Sequence, residues 1–206
     1  NGIEFRFVVL LVVFGGSQGA SALNEWVDQH CKELLARGIN IYCIRGLGKG
    51  AEGVLEEMDG EGHIHRYHSI GFCDSMHLVL SAADLAITRA GAGSIAELTR
   101  CVIPSVLVPF PYAADDHQME NARYFEAQGG GIVVNQDHLS TLFDEVISLR
   151  NNPDFLDKIR DNLSMIEEAN RKDDLVTDLV NVASMPVQKS WWRFWQSSKS
   201  PEGASQ

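Results

Sequence analysis

Apolar residues along this chain follow two alternating rhythms from its start to about residue 135: short β-branched runs, and longer stretches where apolar positions recur every three or four residues. The runs Phe7 to Phe14, Ile39 to Ile44, His63 to Ile70, Leu85 to Thr88, Ser105 to Val108 and Ile132 to Val134 are too short for core helices and predict strands. Between them, Ala20 to Ala36, Ser75 to Ala83, Ser94 to Cys101 and Asp116 to Gln128 predict helices, several entered through Gly or Ser. Strands joined by crossover helices form a parallel sheet covered on both faces. The expected fold class is therefore α/β, a doubly wound parallel sheet whose ligands sit at the carboxyl ends of its strands.

Beyond Asp137 the strand rhythm stops. Leu139 to Arg150, Pro153 to Glu168 and Asp173 to Ala183 are amphipathic and read as helices packing the end of the sheet. After Pro186 the composition changes: Trp191, Trp192 and Trp195 crowd around Phe194, and Lys189, Arg193 and Lys199 stand against Glu202 alone. This tail carries a net +2 on a chain whose formal charge is −11, so the remainder carries −13. At the other end, the apolar run Ile3 to Phe14 holds Glu4 and Arg6 and stops at Gly15, well short of the roughly 20 residues a membrane span needs. It lacks the basic start and small-residue cleavage site of a signal peptide and reads as a buried strand. The first residue is Asn1 rather than Met, and the chain is expected to be part of something longer.

Composition narrows the classes. With 45% hydrophobic and 22% charged residues in 206, the chain has the make-up of a globular domain with a full core. The acidic balance argues against nucleic acid as a partner, since a polyphosphate backbone is held by Lys and Arg. Cys31, Cys43, Cys73 and Cys101 lie far apart with no C-x-x-C spacing, which suggests neither zinc nor a disulfide framework and fits a reducing interior. Among the histidines, strand alternation puts His63 and His65 on one face and His68 on the other, so no metal is expected there.

Three segments carry candidate chemistry. Gly15-Gly16-Ser17-Gln18-Gly19-Ala20 follows the first strand and opens a helix, so its backbone N–H groups and the Ser17 hydroxyl make a ready anion site. The spacing is neither G-x-G-x-x-G nor a P-loop, because no Lys follows the last glycine. Arg89-Ala90-Gly91-Ala92-Gly93-Ser94-Ile95-Ala96-Glu97-Leu98 repeats the strand-to-helix arrangement. Here two readings stand side by side: a capping box between Ser94 and Glu97, worth about 1 kcal/mol to the helix, or a Glu97 carboxylate that accepts hydrogen bonds from both hydroxyls of a ribose. In Pro109 to Ala122 (PFPYAADDHQMENA), two prolines extend the exit from a strand, and Gln118 and Asn121 fall on one helical face, where amides suit sugar hydroxyls; the bland alternative is a helix capped by Asp115 or Asp116.

Taken in order, GGSQGA at 15 to 20, RAGAGSIAEL at 89 to 98 and PFPYAADDHQMENA at 109 to 122, together with Phe72-Cys73-Asp74-Ser75-Met76, resemble the donor-binding half of the MurG family of lipid-linked N-acetylglucosaminyltransferases, over roughly Val8 to Leu149. The resemblance implies the C-terminal domain of a GT-B glycosyltransferase, in which two Rossmann-like domains face each other across a cleft and the C-terminal one binds UDP-N-acetylglucosamine. On that basis residues 1–185 are the donor-binding domain and 186–206 a Trp-rich basic tail. The resemblance puts the Ser17 turn (Gly16, Ser17, Gln18 and Gly19) and Ser94 near the diphosphate, backbone groups around Cys73 at the uracil, Glu97 on the ribose, and His117 with Gln118 toward the sugar; Arg89, Gly91 and Asn121 of the same motifs are counted among the substrate-binding residues. His117 departs from the Gln usual at its position, and Cys73 from an aliphatic residue.

The implied reaction transfers N-acetylglucosamine from UDP to the muramyl sugar of a lipid-pyrophosphate acceptor, with inversion and without a cofactor or metal. The acceptor and the catalytic base come, in the family, from an N-terminal domain that this sequence does not contain, so no catalytic residue is assigned. The chain is accordingly expected to be inactive alone, with a missing domain or acceptor subunit as its partner. It is expected to be cytoplasmic and peripheral on the inner face of the cell membrane. An Alg13-type arrangement, with the donor half as a separate subunit beside a membrane-bound partner, and a non-catalytic nucleotide-sugar-binding module are the alternatives.

Overall fold

A computed structural model describes residues 9–16, 20–112 and 116–172. The elements run β1 (Val9–Phe14), α1 (Ser21–Ala36), β2 (Ile39–Ile44), β3 (Gly53–Met58), β4 (Ile64–Ile70), α2 (Met76–Ser81), β5 (Leu85–Thr88), α3 (Ala92–Cys101), β6 (Ser105–Leu107), α4 (His117–Ala127), β7 (Gly131–Val133), α5 (Leu139–Arg150) and α6 (Pro153–Lys172), with a 3-10 turn at Gln136–His138 before α5. The expected helix over Asp173 to Ala183 and the tail from residue 186 lie outside the described residues.

The seven strands form one sheet in the order β3-β4-β2-β1-β5-β6-β7. Six strands are parallel, and their registers bring Ile70, Ile44, Phe14, Thr88, Leu107 and Val133 onto one line at the carboxyl edge. Strand order reverses at β1, whose successors by sequence pair on one side and whose later neighbour β5 pairs on the other, so the crevice of this sheet lies above β1. The central strand β5 (LAIT) is buried on both faces, with all four of its residues in the interior. On α1, Leu23, Trp26, Val27, Cys31, Leu34 and Leu35 recur at helical spacing and bury one face against the sheet. Burying a leucine such as Leu34, with no exposed surface, contributes about 1.5–3 kcal/mol. On the far flank α5 buries Leu142, Val146 and Leu149, and α6 buries Leu156, Ile159 and Leu163. Asn162 fixes α6 to the turn before β7 by donating to the Gly129 carbonyl at 3.2 Å.

One strand departs from the sequence reading. β3 pairs antiparallel with β4 from Gly53↔Ser69 to Met58↔Ile64 and forms the sheet edge, so the sheet is mostly rather than wholly parallel. Its outward residues Val54, Glu56 and Met58 are exposed, and Leu55 and Glu57 only half-buried, a pattern that carries no continuous apolar signal. Strand β4 begins at Ile64, which leaves His63 in the preceding turn. There the buried Asp59 accepts from the backbone N–H groups of Glu61 and His63, each at 2.9 Å, and lies 3.1 Å from His65 Nε2. These bonds, the one from His63 foremost, hold its carboxyl well below the usual carboxylate range. His68 faces the opposite side and meets Tyr42 edge to face. Among the described residues no helix is long and apolar enough to cross a membrane.

Candidate functional site

Because the strand ends are level, the turns after β1, β5 and β6 meet above the sheet. The first enters through Gly16, whose φ of +77° suits glycine, and α1 starts at Ser21 behind Ala20 as N-cap. Ser17, Gln18 and Gly19 lie outside the described residues. The second turn places Gly91 as N-cap of α3, which starts at Ala92. Ser94 is thus the third helical residue rather than the cap, and the capping box between Ser94 and Glu97 is not formed. The strand end at Thr88 leaves only Arg89 to Gly91 for the corner, so the helix begins earlier than the serine suggested.

The two helices share an electrostatic character. Neither N-cap, Ala20 or Gly91, makes a side-chain cap, and neither first turn contains an acidic residue. The first N–H groups of a helix lack intrahelical acceptors and carry the positive end of the dipole. Both N-termini open on one cleft of about 690 Å³, whose walls include Gly15, Gly16, Ala20, Ser21 and Ala22 on one side and Gly91 and Ser94 on another. Glu25, Lys49, Arg89, Phe110, Gln118 and Gln136 complete its described wall.

Arg89 is only 7% exposed. Its Nη1 donates to the carbonyls of Val108 and Pro109 at 3.1 and 3.2 Å, its Nη2 donates to Gln136 Oε1 at 2.6 Å, and its guanidinium lies over the Phe110 ring. All three acceptors are neutral, and among the described residues no carboxylate pairs with it. Burial of this uncompensated cation pulls its pKa down. A buried guanidinium held this way is a standing invitation to an anion, since five fixed donors are only partly used.

Beside the cleft, and sharing Gly16 with it, a smaller cavity of about 190 Å³ is walled by Phe14, Ile44, Phe72, Cys73 and Met76, with Glu97 on its edge. Ser94 faces the large cleft and Glu97 the small cavity, so α3 borders both. Gln118 accepts from the Phe110 N–H at 3.0 Å and lines the cleft. Asn121 instead donates to the Ala90 carbonyl at 3.1 Å, tying α4 to the second turn. His117 is exposed at the first position of α4, and neither it nor Asn121 belongs to the described wall of either cavity. Asp116 is the N-cap residue of α4, at φ +54°, but its side chain makes no capping bond. Asp115 lies outside the described residues.

The sequence reading missed Glu25, Gln136 and Lys49. Gln136 meets Arg89 across 47 residues, with no local signal. Lys49 did have one: Gly46-Leu47-Gly48-Lys49-Gly50 is a fourth glycine-rich segment following a strand. The arrangement can hold an anionic group between two helix N-termini and Arg89, a flat apolar group in the small cavity, and hydroxyls on Glu97 between them.

Comparison with known proteins agrees in extent and in kind. Residues 10–178 match the model of the glycosyltransferase family 28 C-terminal domain. The UDP-N-acetylglucosamine–N-acetylmuramyl-(pentapeptide) pyrophosphoryl-undecaprenol N-acetylglucosamine transferase of Opitutus terrae is 48% identical over 179 residues, covering 85% of this chain and 48% of the relative. The chain thus spans about half the length of the curated relatives it matches. Among solved structures, Acinetobacter baumannii MurG superposes with a TM-score of 0.60 at 26% identity over 79% of this chain and 46% of its own. The calicheamicin glycosyltransferase CalG4 shares the fold, with a TM-score of 0.60 at 20% identity over 88% of this chain and 46% of its own. The sheet, the level turns and these matches together establish that the chain belongs to glycosyltransferase family 28 and carries that family's C-terminal domain.

Proposed function

We propose that this chain is the donor-binding half of an inverting glycosyltransferase that moves N-acetylglucosamine from UDP-N-acetylglucosamine to a lipid-pyrophosphate-linked muramyl acceptor. The observation that carries the reading is the pairing of two uncapped helix N-termini with the buried, carboxylate-free Arg89, next to an apolar cavity bordered by Glu97. Diphosphate fits the first, uracil the second, and the ribose hydroxyls reach Glu97 where the two meet at Gly16. The activities named for the relatives support the sugar and the acceptor.

In this reading the chain's residues bind the donor and stabilise its departure. An acceptor hydroxyl attacks the anomeric carbon from the face opposite UDP; the new glycosidic bond forms as the bond to the diphosphate breaks, and the hydroxyl proton passes to a base supplied by the other half of the enzyme. Negative charge gathers on the diphosphate in the transition state. In this reading fixed N–H dipoles and a guanidinium on the wall of the same cleft lower the barrier without reorganising.

Isothermal calorimetry tests the nucleotide reading. UDP and UDP-N-acetylglucosamine are expected to bind equally well with and without EDTA, because the cleft supplies its own positive charge. Binding that vanishes on chelation, or a preference for ADP, would overturn it. Gln118 serves the sugar in this account, so Gln118→Ala should weaken UDP-N-acetylglucosamine several-fold and leave UDP within about twofold; equal losses for both ligands would show that the amide only supports the Phe110 backbone.

A lipid-linked acceptor puts the reaction at a membrane surface, and we place the chain on the cytoplasmic leaflet as a peripheral protein. Trp191, Trp192 and Trp195 with Lys189, Arg193 and Lys199 are the residues suited to that contact, since indoles favour the interface and each basic residue near an anionic leaflet adds about 1 kcal/mol. These residues lie outside the described ones. Co-sedimentation with anionic vesicles should drop when residues 187–206 are removed, and identical partitioning would refute membrane contact by the tail.

A further inference from the structure

The cleft holds a second basic residue that the family motifs quoted above do not contain. Lys49 sits in the loop between β2 and β3 and stands on the wall of the same cleft as Arg89. Since β2 and β5 flank β1, the loop after β2 and the turn after β5 flank the glycine turn from opposite sides. Arg89 approaches from one side and Lys49 from the other.

The loop bearing Lys49 is fastened from beneath. The buried Asn24, on the first turns of α1, donates through Nδ2 to the carbonyls of Arg45 at 3.1 Å and of Lys49 itself at 3.3 Å. Arg45, 5% exposed, runs under the loop, where its Nε donates to Ser69 Oγ at 2.5 Å and its guanidinium bonds Asp28 and Tyr67. Ser69 Oγ donates to the Ala51 carbonyl at 3.0 Å, and Glu52 accepts from the Gly71 N–H at 2.7 Å. Four buried or partly buried anchors thus hold residues 45–52, whereas Lys49 is exposed and, among the described residues, has no carboxylate partner. Gly48 and Gly50, at φ +69° and +114°, turn the backbone on either side of it.

Charge balance gives the lysine its purpose. Glu25 also faces the cleft, so Arg89 and Glu25 alone leave the wall without net charge. The pyrophosphate of a sugar nucleotide carries a negative charge on each phosphate, and a further negative charge develops as the sugar leaves. We propose that Lys49 binds the diphosphate from the side opposite Arg89, its ammonium making the cleft net positive; this rests on the nucleotide reading above. A lysine on a flexible stem is suited to follow the phosphate as its charge grows, whereas Arg89, fixed by its bonds to Val108, Pro109 and Gln136, marks one position.

The test uses the full chain, Lys49→Ala and Lys49→Arg, with UDP, uridine and inorganic pyrophosphate as calorimetric probes. Lys49→Ala is expected to weaken UDP and pyrophosphate about tenfold, to leave uridine within twofold, and to flatten the salt dependence of UDP binding, with Lys49→Arg restoring most of the affinity. Unchanged UDP affinity, or equal losses for UDP and uridine, would overturn the proposal. If wild type binds pyrophosphate through Lys49 but shows no preference for UDP over pyrophosphate, the charge assignment stands and the uridine reading falls. If it binds neither, both fall.

Discussion

Arg89→Met should weaken UDP by about 2–3 kcal/mol, roughly 30- to 150-fold, and uridine by less than threefold. The size follows from burial. At 7% exposure, with only neutral acceptors around it, the guanidinium meets the phosphate where water screens little, so charge-assisted hydrogen bonds keep most of their strength. Arg89→Lys separates charge from shape: it keeps the cation but loses the fork that reaches Gln136 and two carbonyls at once, and should recover only part of the affinity. The variant should also be less stable, because the Val108 and Pro109 carbonyls lose their donor; urea unfolding reads that cost apart from the ligand. An Arg89→Met protein that binds UDP as wild type does would show that the residue only braces the β6 exit.

Glu97→Gln should weaken both UDP and uridine by about 1–3 kcal/mol, because a carboxylate that accepts from two ribose hydroxyls becomes an amide with one acceptor oxygen. The structure sharpens this test. As α3 starts at Ala92 with Gly91 as N-cap, Glu97 takes no part in capping, and its loss should leave the helix intact. Wild-type uridine affinity in this variant would remove Glu97 from the site. The two variants predict different selectivities: Arg89 separates UDP from uridine, Glu97 affects them alike.

Much of the frame was legible in the sequence because its signals are local. The strands at Leu85 and Ser105 are short runs buried on both faces, that at Ile39 buries Ile39, Ile41 and Cys43 and half-buries Asn40 and Tyr42, and α5 spans the expected Leu139–Arg150 because its apolar positions recur at helical spacing up to Asn151-Asn152-Pro153. β3 was hidden because an edge strand needs no apolar run; its Glu56 pairs with Arg66 across the hairpin instead of entering the core. The start of α3 was misjudged because serine is a better N-cap than glycine by propensity, while the actual start is fixed by where β5 ends. Gly16, Arg89, Ser94, Glu97 and Gln118 were found through their motifs and do converge on the two cavities, with Cys73. Asn121 was expected to share a helical face with Gln118 but is spent on the Ala90 carbonyl. Gln136 reaches the cleft only through sheet order, which no local pattern encodes, whereas Lys49 lies in a glycine-rich segment after β2 that the sequence did display.

The most direct test of the account is a crystal structure of this chain with UDP bound. The account predicts the diphosphate between the N-termini of α1 and α3 within hydrogen-bond distance of Arg89, the ribose hydroxyls on Glu97, and the uracil in the cavity between Phe72, Cys73 and Ile44. UDP bound away from this cleft, or bound there with its diphosphate remote from both helix N-termini, would contradict it.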